Sequence, residues 1–194
     1  MRALLLDRDG VICENRSGYV RSPEQFRFLH GALDALVALS RAGYRLIVVT
    51  NQSMVGRGIV PRAGLDAIHR LMCGEVERAG GAIADVLVCT HAPDLGCRCR
   101  KPQPGLILEA LRRHGLDDEV CFVGDHTDDV TAALRAGVRP IHVETGRGRA
   151  SRARVRWLYS DRVTYLAGLP DVTPLLLGDA SDLAGTAPAA STHP

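Results

Sequence analysis

Lysine is nearly absent from this chain of 194 residues: Lys101 stands alone beside 23 arginines among 24 basic side chains. Long apolar runs are absent too, which excludes a helix that spans a membrane. The apolar stretch at the start, Met1-Arg-Ala-Leu-Leu-Leu-Asp7, is too short for a secretory signal, so a cytoplasmic protein is expected. A formal net charge of +2 is too small to draw the chain to a polyanion by itself. Six cysteines in a chain of this length do not suit a disulfide-stapled secreted scaffold. No internal repeat is visible. With 46% hydrophobic and 24% charged residues, the composition is that of one folded domain, expected over residues 1–170. Residues 178–194 are dominated by Gly, Ala, Ser, Thr, Pro and Asp and are expected to form a disordered tail.

What is present alternates. Short apolar runs at 3–6, 45–50, 86–89, 120–123 and 138–143 predict strands. Apolar residues at helical spacing predict helices over 31–42, 62–79, 105–114 and 129–136. Residues 155–159 and 163–169 suggest a last strand with a turn or short helix. Uniformly apolar strands separated by helices predict a parallel sheet covered on both faces. Ligands of such sheets gather at the carboxyl ends of the strands. Polar groups stand at those ends here: Asp7 and Asp9, Thr50 and Asn51, Asp125 and Asp129.

Cys89-x-His91 and Cys97-x-Cys99 form a Cys₃His set. Four such ligands close a tetrahedron with no open position, so a structural Zn²⁺ is expected to hold the loop leading into Arg100 and Lys101. A Cys97–Cys99 disulfide would be strained. Cys13, Cys73 and Cys121 lie in or beside apolar segments and read as packed there. Asp7-Arg8-Asp9-Gly10 follows the first strand. Carboxylates at that spacing can share a divalent cation, one attacking while the other moves protons; a solvated turn or a calcium loop would carry the same residues. Thr50-Asn51 is either a strand-end turn or a hydroxyl and amide set to meet phosphoryl oxygens. Residues 124–129, Gly-Asp-His-Thr-Asp-Asp, either bring carboxylates to that cation or cap a helix.

In chain order, Asp7-x-Asp9, Thr50, Lys101 and Gly124-Asp125-x-x-x-Asp129 resemble the four motifs of the haloacid dehalogenase (HAD) superfamily of phosphohydrolases, over residues 3 to about 147. Within it, several segments resemble the D-glycero-D-manno-heptose 1,7-bisphosphate 7-phosphatases. They are Gly18-Tyr19-Val20, Phe26-x-Phe28, Val49-Thr50-Asn51-Gln52-Ser53, Gly56-Arg57-Gly58, the Cys/His loop and Arg100-Lys101-Pro102-x-Pro104-Gly105. Histidinol-phosphate phosphatases share the aspartates and the metal loop and form the alternative. Met54, Thr90 and His126 depart from the heptose pattern, where glycine, proline and lysine are usual.

The resemblance implies a HAD-like Rossmannoid three-layer α/β sandwich with a central parallel sheet and a zinc-stabilised loop. The segments before Thr50 and before Lys101 leave no room for a large cap domain. The resemblance also implies Mg²⁺ held by Asp7, the backbone carbonyl of Asp9, and Asp125. Asp7 is then the nucleophile, forming an aspartyl-phosphate, and Asp9 the acid and later the base. Thr50 and Lys101 face the equatorial phosphoryl oxygens, and Asp129 orients Lys101 or a metal-bound water. Arg16, Ser17, Gly18, Tyr19, Asn51, Gln52, Ser53, Arg100 and His126 would hold the sugar or its second phosphate. The implied partner is a small sugar phosphate, losing its 7-phosphate in nucleotide-heptose biosynthesis. A monomer is expected, with no membrane partner. The basic stretch Arg147–Arg156 raises a polynucleotide 3′-phosphatase or a zinc nucleic-acid module as a further alternative. Small net charge and the lack of interleaved aromatics favour a solvated surface run instead.

Overall fold

The computed structural model describes residues 2–116 and 119–178. The expected tail from 179 onward lies outside the described residues. Six strands make one sheet in the order β3-β2-β1-β4-β5-β6, and every pairing is parallel. In chain order the elements are β1 (Ala3–Leu6), α1 (Ala32–Arg41), β2 (Arg45–Asn51), α2 (Arg62–Arg78), β3 (Asp85–Cys89) and α3 (Gly105–His114). They continue with β4 (Val120–Gly124), α4 (Thr127–Arg135), β5 (Arg139–Val143), α5 (Gly148–Tyr159), β6 (Thr164–Leu166) and α6 (Val172–Leu177).

Alternation along β1 and β2 divides the interior. Leu4, Leu6, Leu46 and Val48 pack with Leu36 and Leu39 of α1 and with Leu65, Ile68 and Met72 of α2. Ala3, Leu5, Ile47, Val49 and Phe122 pack on the opposite face with Leu106 and Ile107 of α3 and Ala132 and Ala133 of α4. A strand buried on both faces cannot show polar alternation, which is why these strands read as continuous apolar runs. Residues 7–31 carry only a short 3₁₀ turn, Pro23–Gln25, and residues 52–61 carry no helix or strand. No cap domain is inserted at either point.

Three elements differ from expectation, one of them α6, which follows the expected end of the domain at residue 170. Helix α4 begins at Thr127 rather than Asp129, because His126 and Asp129 close its first turn reciprocally. Helix α5 begins at Gly148, so most of the arginine stretch is helical. Its buried face is Gly148, Ser151 and Val155, too small and too polar to register as an apolar stripe.

Burial decides where a truncation is felt. Leu36→Ala, at a fully buried site on α1, is expected to lower unfolding free energy by about 2–5 kcal/mol in urea titration. Leu108→Ala, on the outer face of α3 and 47% exposed, is expected to change it by no more than about 0.5 kcal/mol.

Candidate active site

Parallel strands place their carboxyl ends on one edge. The ends of β1, β2 and β4, with the loops that follow, line a cavity of about 410 Å³. Asp7, Asp9, Thr50, Lys101, Asp125 and Asp129 all reach its wall.

Gly10 makes the first of these placements possible. It turns the chain at φ 85°, and a Cβ there would collide with the Asp125 carboxylate, so the β1 loop lies directly against the end of β4. Asp125 is held from the other side by the backbone N–H of Arg147, at 2.7 Å.

Lys101 arrives from the Cys/His loop and is 2% exposed. Its ammonium donates to Asp129 Oδ1 at 2.7 Å, to Asp7 Oδ1 at 3.0 Å and to the Val49 carbonyl at 2.9 Å. Those contacts use all three of its N–H groups. Burial opposes the charged form, but Asp129 and Asp7 outweigh it and hold the ammonium above its ordinary pKa. The backbone of Lys101 is fixed separately. Asn51 Nδ2 donates to its carbonyl at 3.0 Å, and its N–H donates to Asn51 Oδ1 at 3.1 Å.

The carboxylates feel the opposite balance. Burial pushes Asp7 up to about 6, with Asp129 and Asp9 adding to it while Lys101 pulls down. Burial pushes Asp125 up to about 7, with further repulsion from Asp129 and Asp7. Asp7, Asp125 and Asp129 each offer an oxygen within 4.8 Å of the others. Crowded, desolvated oxygens of this kind fit a hard divalent cation, whose charge would offset their repulsion. Both oxygens of Asp129 are engaged, Oδ1 by Lys101 and Oδ2 by the His126 N–H at 3.0 Å, whereas the contacts of Asp7 and Asp125 fall on one oxygen each, which leaves these two the freer pair.

Asp9 is turned from that trio. Its carboxylate accepts from Arg8 Nη2 at 3.0 and 2.9 Å and from Gln52 Nε2 at 2.5 Å. Gln52 also donates to Thr50 Oγ1 at 3.0 Å. Arg8 is completely buried, and its Nη1 lies 3.2 Å from His69 Nε2 on α2. Burial, and then Arg8, push His69 down to about 4, so the ring is neutral and that nitrogen is the acceptor.

The remaining expected residues divide. Arg16, Ser17, Tyr19, Asn51, Ser53, Arg100 and His126 line the cavity, with Tyr19 Oη 3.1 Å from Ser53 Oγ. Gly18 and Gln52 do not; Gln52 is 1% exposed and sits behind Asp9. Asn51 lines the wall, but its amide is spent on the backbone of Lys101. Sequence reasoning missed Arg8, Arg57 and Arg147. Arg57 and Arg147 lie on cavity-lining loops, and Arg8 could have been suspected only as a charge enclosed between two aspartates.

The Cys/His loop is a compact cluster. The sulfurs of Cys89, Cys97 and Cys99 lie 3.3–3.6 Å apart, and His91 Nδ1 is 3.1 and 3.6 Å from those of Cys99 and Cys89. Ligands of a tetrahedral zinc stand roughly 3.5–3.8 Å from one another, so the donor set fits that ion. Gly105, at the start of α3, packs against the Arg98 carbonyl with no space for a Cβ. The loop is thereby pressed onto the helix that follows Lys101.

A family model described as HAD-hydrolase-like matches residues 98–172. The D-glycero-beta-D-manno-heptose-1,7-bisphosphate 7-phosphatase of Pseudomonas putida is 43% identical over 151 residues, 76% of this chain and 85% of the relative. The enzyme of that name from Bordetella bronchiseptica is 39% identical over 155 residues, 79% of this chain and 87% of its own. A crystal structure of D,D-heptose 1,7-bisphosphate phosphatase from B. bronchiseptica, complexed with magnesium and phosphate, superposes with a TM-score of 0.87 at 36% identity. That match covers 91% of this chain and 98% of the other.

Asn51→Ala removes both struts from the Lys101 backbone. The expected results are a stability loss of about 1–3 kcal/mol and faster hydrogen exchange at the Lys101 amide, read by NMR or mass spectrometry. Exchange in the centre of β4, which opens only with the whole domain, should speed up by no more than the global stability loss.

Proposed function

From a chain that belongs to the D-glycero-beta-D-manno-heptose-1,7-bisphosphate 7-phosphatase family of HAD-like hydrolases, we infer a phosphomonoesterase that removes the 7-phosphate of this β-configured heptose bisphosphate. The observation that carries the reading is the convergence of Asp7, Lys101, Asp125 and Asp129 on one open cavity. The relatives' names favour this substrate over histidinol phosphate.

In this reading a carboxylate oxygen of Asp7 attacks phosphorus in line, and the bond from phosphorus to the sugar oxygen breaks. Asp9 gives its proton to the departing oxygen. The carboxylate left on Asp9 then takes a proton from the water that hydrolyses the aspartyl-phosphate, releasing inorganic phosphate and restoring Asp7. Lys101 has no free donor before substrate binds. As Asp7 becomes an acyl phosphate its carboxyl loses its charge, and the Lys101 N–H it held becomes available to an equatorial phosphoryl oxygen. Thr50 Oγ1 faces the same oxygens.

Mg²⁺, held by Asp7, Asp125 and the backbone carbonyl of Asp9, would supply charge neutralisation between the nucleophile and the phosphate dianion. Arg16, Arg57, Arg100 and Arg147 surround the outer cavity and would meet the second phosphate. Zn²⁺ in the Cys89, His91, Cys97 and Cys99 cluster would hold the loop that presents Arg100 and Lys101, with no part in bond breaking. We place the reaction in the cytoplasm, where such thiolates stay reduced.

With Mg²⁺ present, the β-anomer of the bisphosphate should give a higher kcat/KM than the α-anomer or histidinol phosphate. A preference for histidinol phosphate would overturn the substrate and leave the chemistry intact. Asp7→Asn should lower kcat by about 10⁴-fold or more. By elemental analysis the protein should carry about one zinc per chain; Cys97→Ser should lose most of it and turn over more slowly. Unchanged kinetics in a zinc-free Cys97→Ser protein would remove the loop-holding role.

A further inference from the structure

We propose that Arg8 is a positioning residue for the leaving-group proton transfer: it grips the Asp9 carboxylate from within the protein core, and His69 of α2 fixes its grip. This rests on Asp9 being the acid in the reaction described above. The motif Asp7-Arg8-Asp9 places a charge between two carboxylates, and the structure sends it inward, where its side chain is fully buried.

A buried guanidinium must find acceptors. Arg8 finds two. Its Nη2 spans both oxygens of Asp9 at 3.0 and 2.9 Å, and its Nη1 donates to His69 Nε2 at 3.2 Å. Its Nε has no partner among the described residues, so these two contacts alone orient the head group. Asp9 is otherwise touched by Gln52 at 2.5 Å and weakly by the Cys13 thiol at 3.6 Å. It lies in a loop with neither a helix nor a strand to stiffen it. Arg8 ties its carboxylate to a helix, α2, through His69. Residues 52–61, the connection that leads into α2, carry Ser53 and Arg57 on the cavity wall. One helix thus carries both the substrate loop and the support of Asp9. Arg is the side chain suited to this task, because its planar fork can hold a carboxylate at two oxygens while donating elsewhere, which a lysine ammonium does less rigidly.

The test exploits leaving groups. An alkyl phosphate must have its departing oxygen protonated, whereas p-nitrophenyl phosphate releases a stabilised phenolate that needs little help. The parameter kcat/KM reports only steps up to the first departure, so later hydrolysis of the aspartyl-phosphate does not enter. Arg8→Lys should lower kcat/KM for the heptose bisphosphate by about 30- to 100-fold, within the range of a general acid, and that for p-nitrophenyl phosphate by no more than about threefold. In an Asp9→Asn background, Arg8→Lys should cause no further loss with the bisphosphate. His69→Leu, which removes the second acceptor and leaves the chain between the aspartates intact, should show the same split to a lesser extent. His69→Gln, which restores an acceptor, should recover most of it. Equal losses with both substrates, or additive losses in the double variant, overturn the proposal. If Asp9→Asn itself fails to separate the two substrates, the acid assignment of Asp9 falls instead, and the proposal with it.

Discussion

The ammonium of Lys101 ties the active edge together. It is buried, it is the chain's one lysine, and its three donors go to β1 through Asp7, to β2 through the Val49 carbonyl and to α4 through Asp129. Three separate parts of the fold are thus joined at one atom, and each is a place where catalytic chemistry is proposed. Burying a single ammonium costs much more than an exposed ion pair returns, so the site depends on both carboxylates being present. The reverse also holds. Asp7, Asp125 and Asp129 crowd one small volume, and among the described residues the Lys101 ammonium is the cation paired with two of them.

Because so much converges on Lys101, its backbone is held as carefully as its side chain. The Asn51 amide brackets its peptide groups from β2, and the Cys/His cluster ends two residues before it. On the far side of the cavity the same logic is repeated with different groups. Asp9 is gripped by Arg8 and Gln52, and Arg8 leans on His69 in α2. Polar groups this deeply buried have few alternative partners, and that restriction is a source of preorganisation.

Much of this was legible in the chain. Apolar strand runs, the alternation with helices and the polar residues at strand ends led to the parallel sheet and to the edge bearing Asp7, Asp9, Thr50, Lys101, Asp125 and Asp129. The Cys₃His set was legible because ligand chemistry is local, with all four donors in one loop. Helix α5 was not, since its buried face of Gly148, Ser151 and Val155 carries almost no hydrophobic signal. Gln52 and Asn51 were read as facing substrate from their place in a motif. In the fold, Gln52 turns behind Asp9 and the amide of Asn51 turns to the Lys101 backbone. A motif assigns residue types to a neighbourhood without assigning the direction in which each amide points.

The sequence by itself determined the layers, the strand-end chemistry and the family, because hydrophobic period, turn residues and motif order are properties of neighbours along the chain. Only the tertiary structure decided which groups meet. Arg8 is next to Asp9 in sequence, yet its second partner is His69, sixty-one positions away. Lys101 is held by Val49 and Asn51, about a quarter of a chain-length back on β2. Such pairings arise when helices and strands pack and water is expelled, leaving each buried charge only the partners that the packing brings within reach.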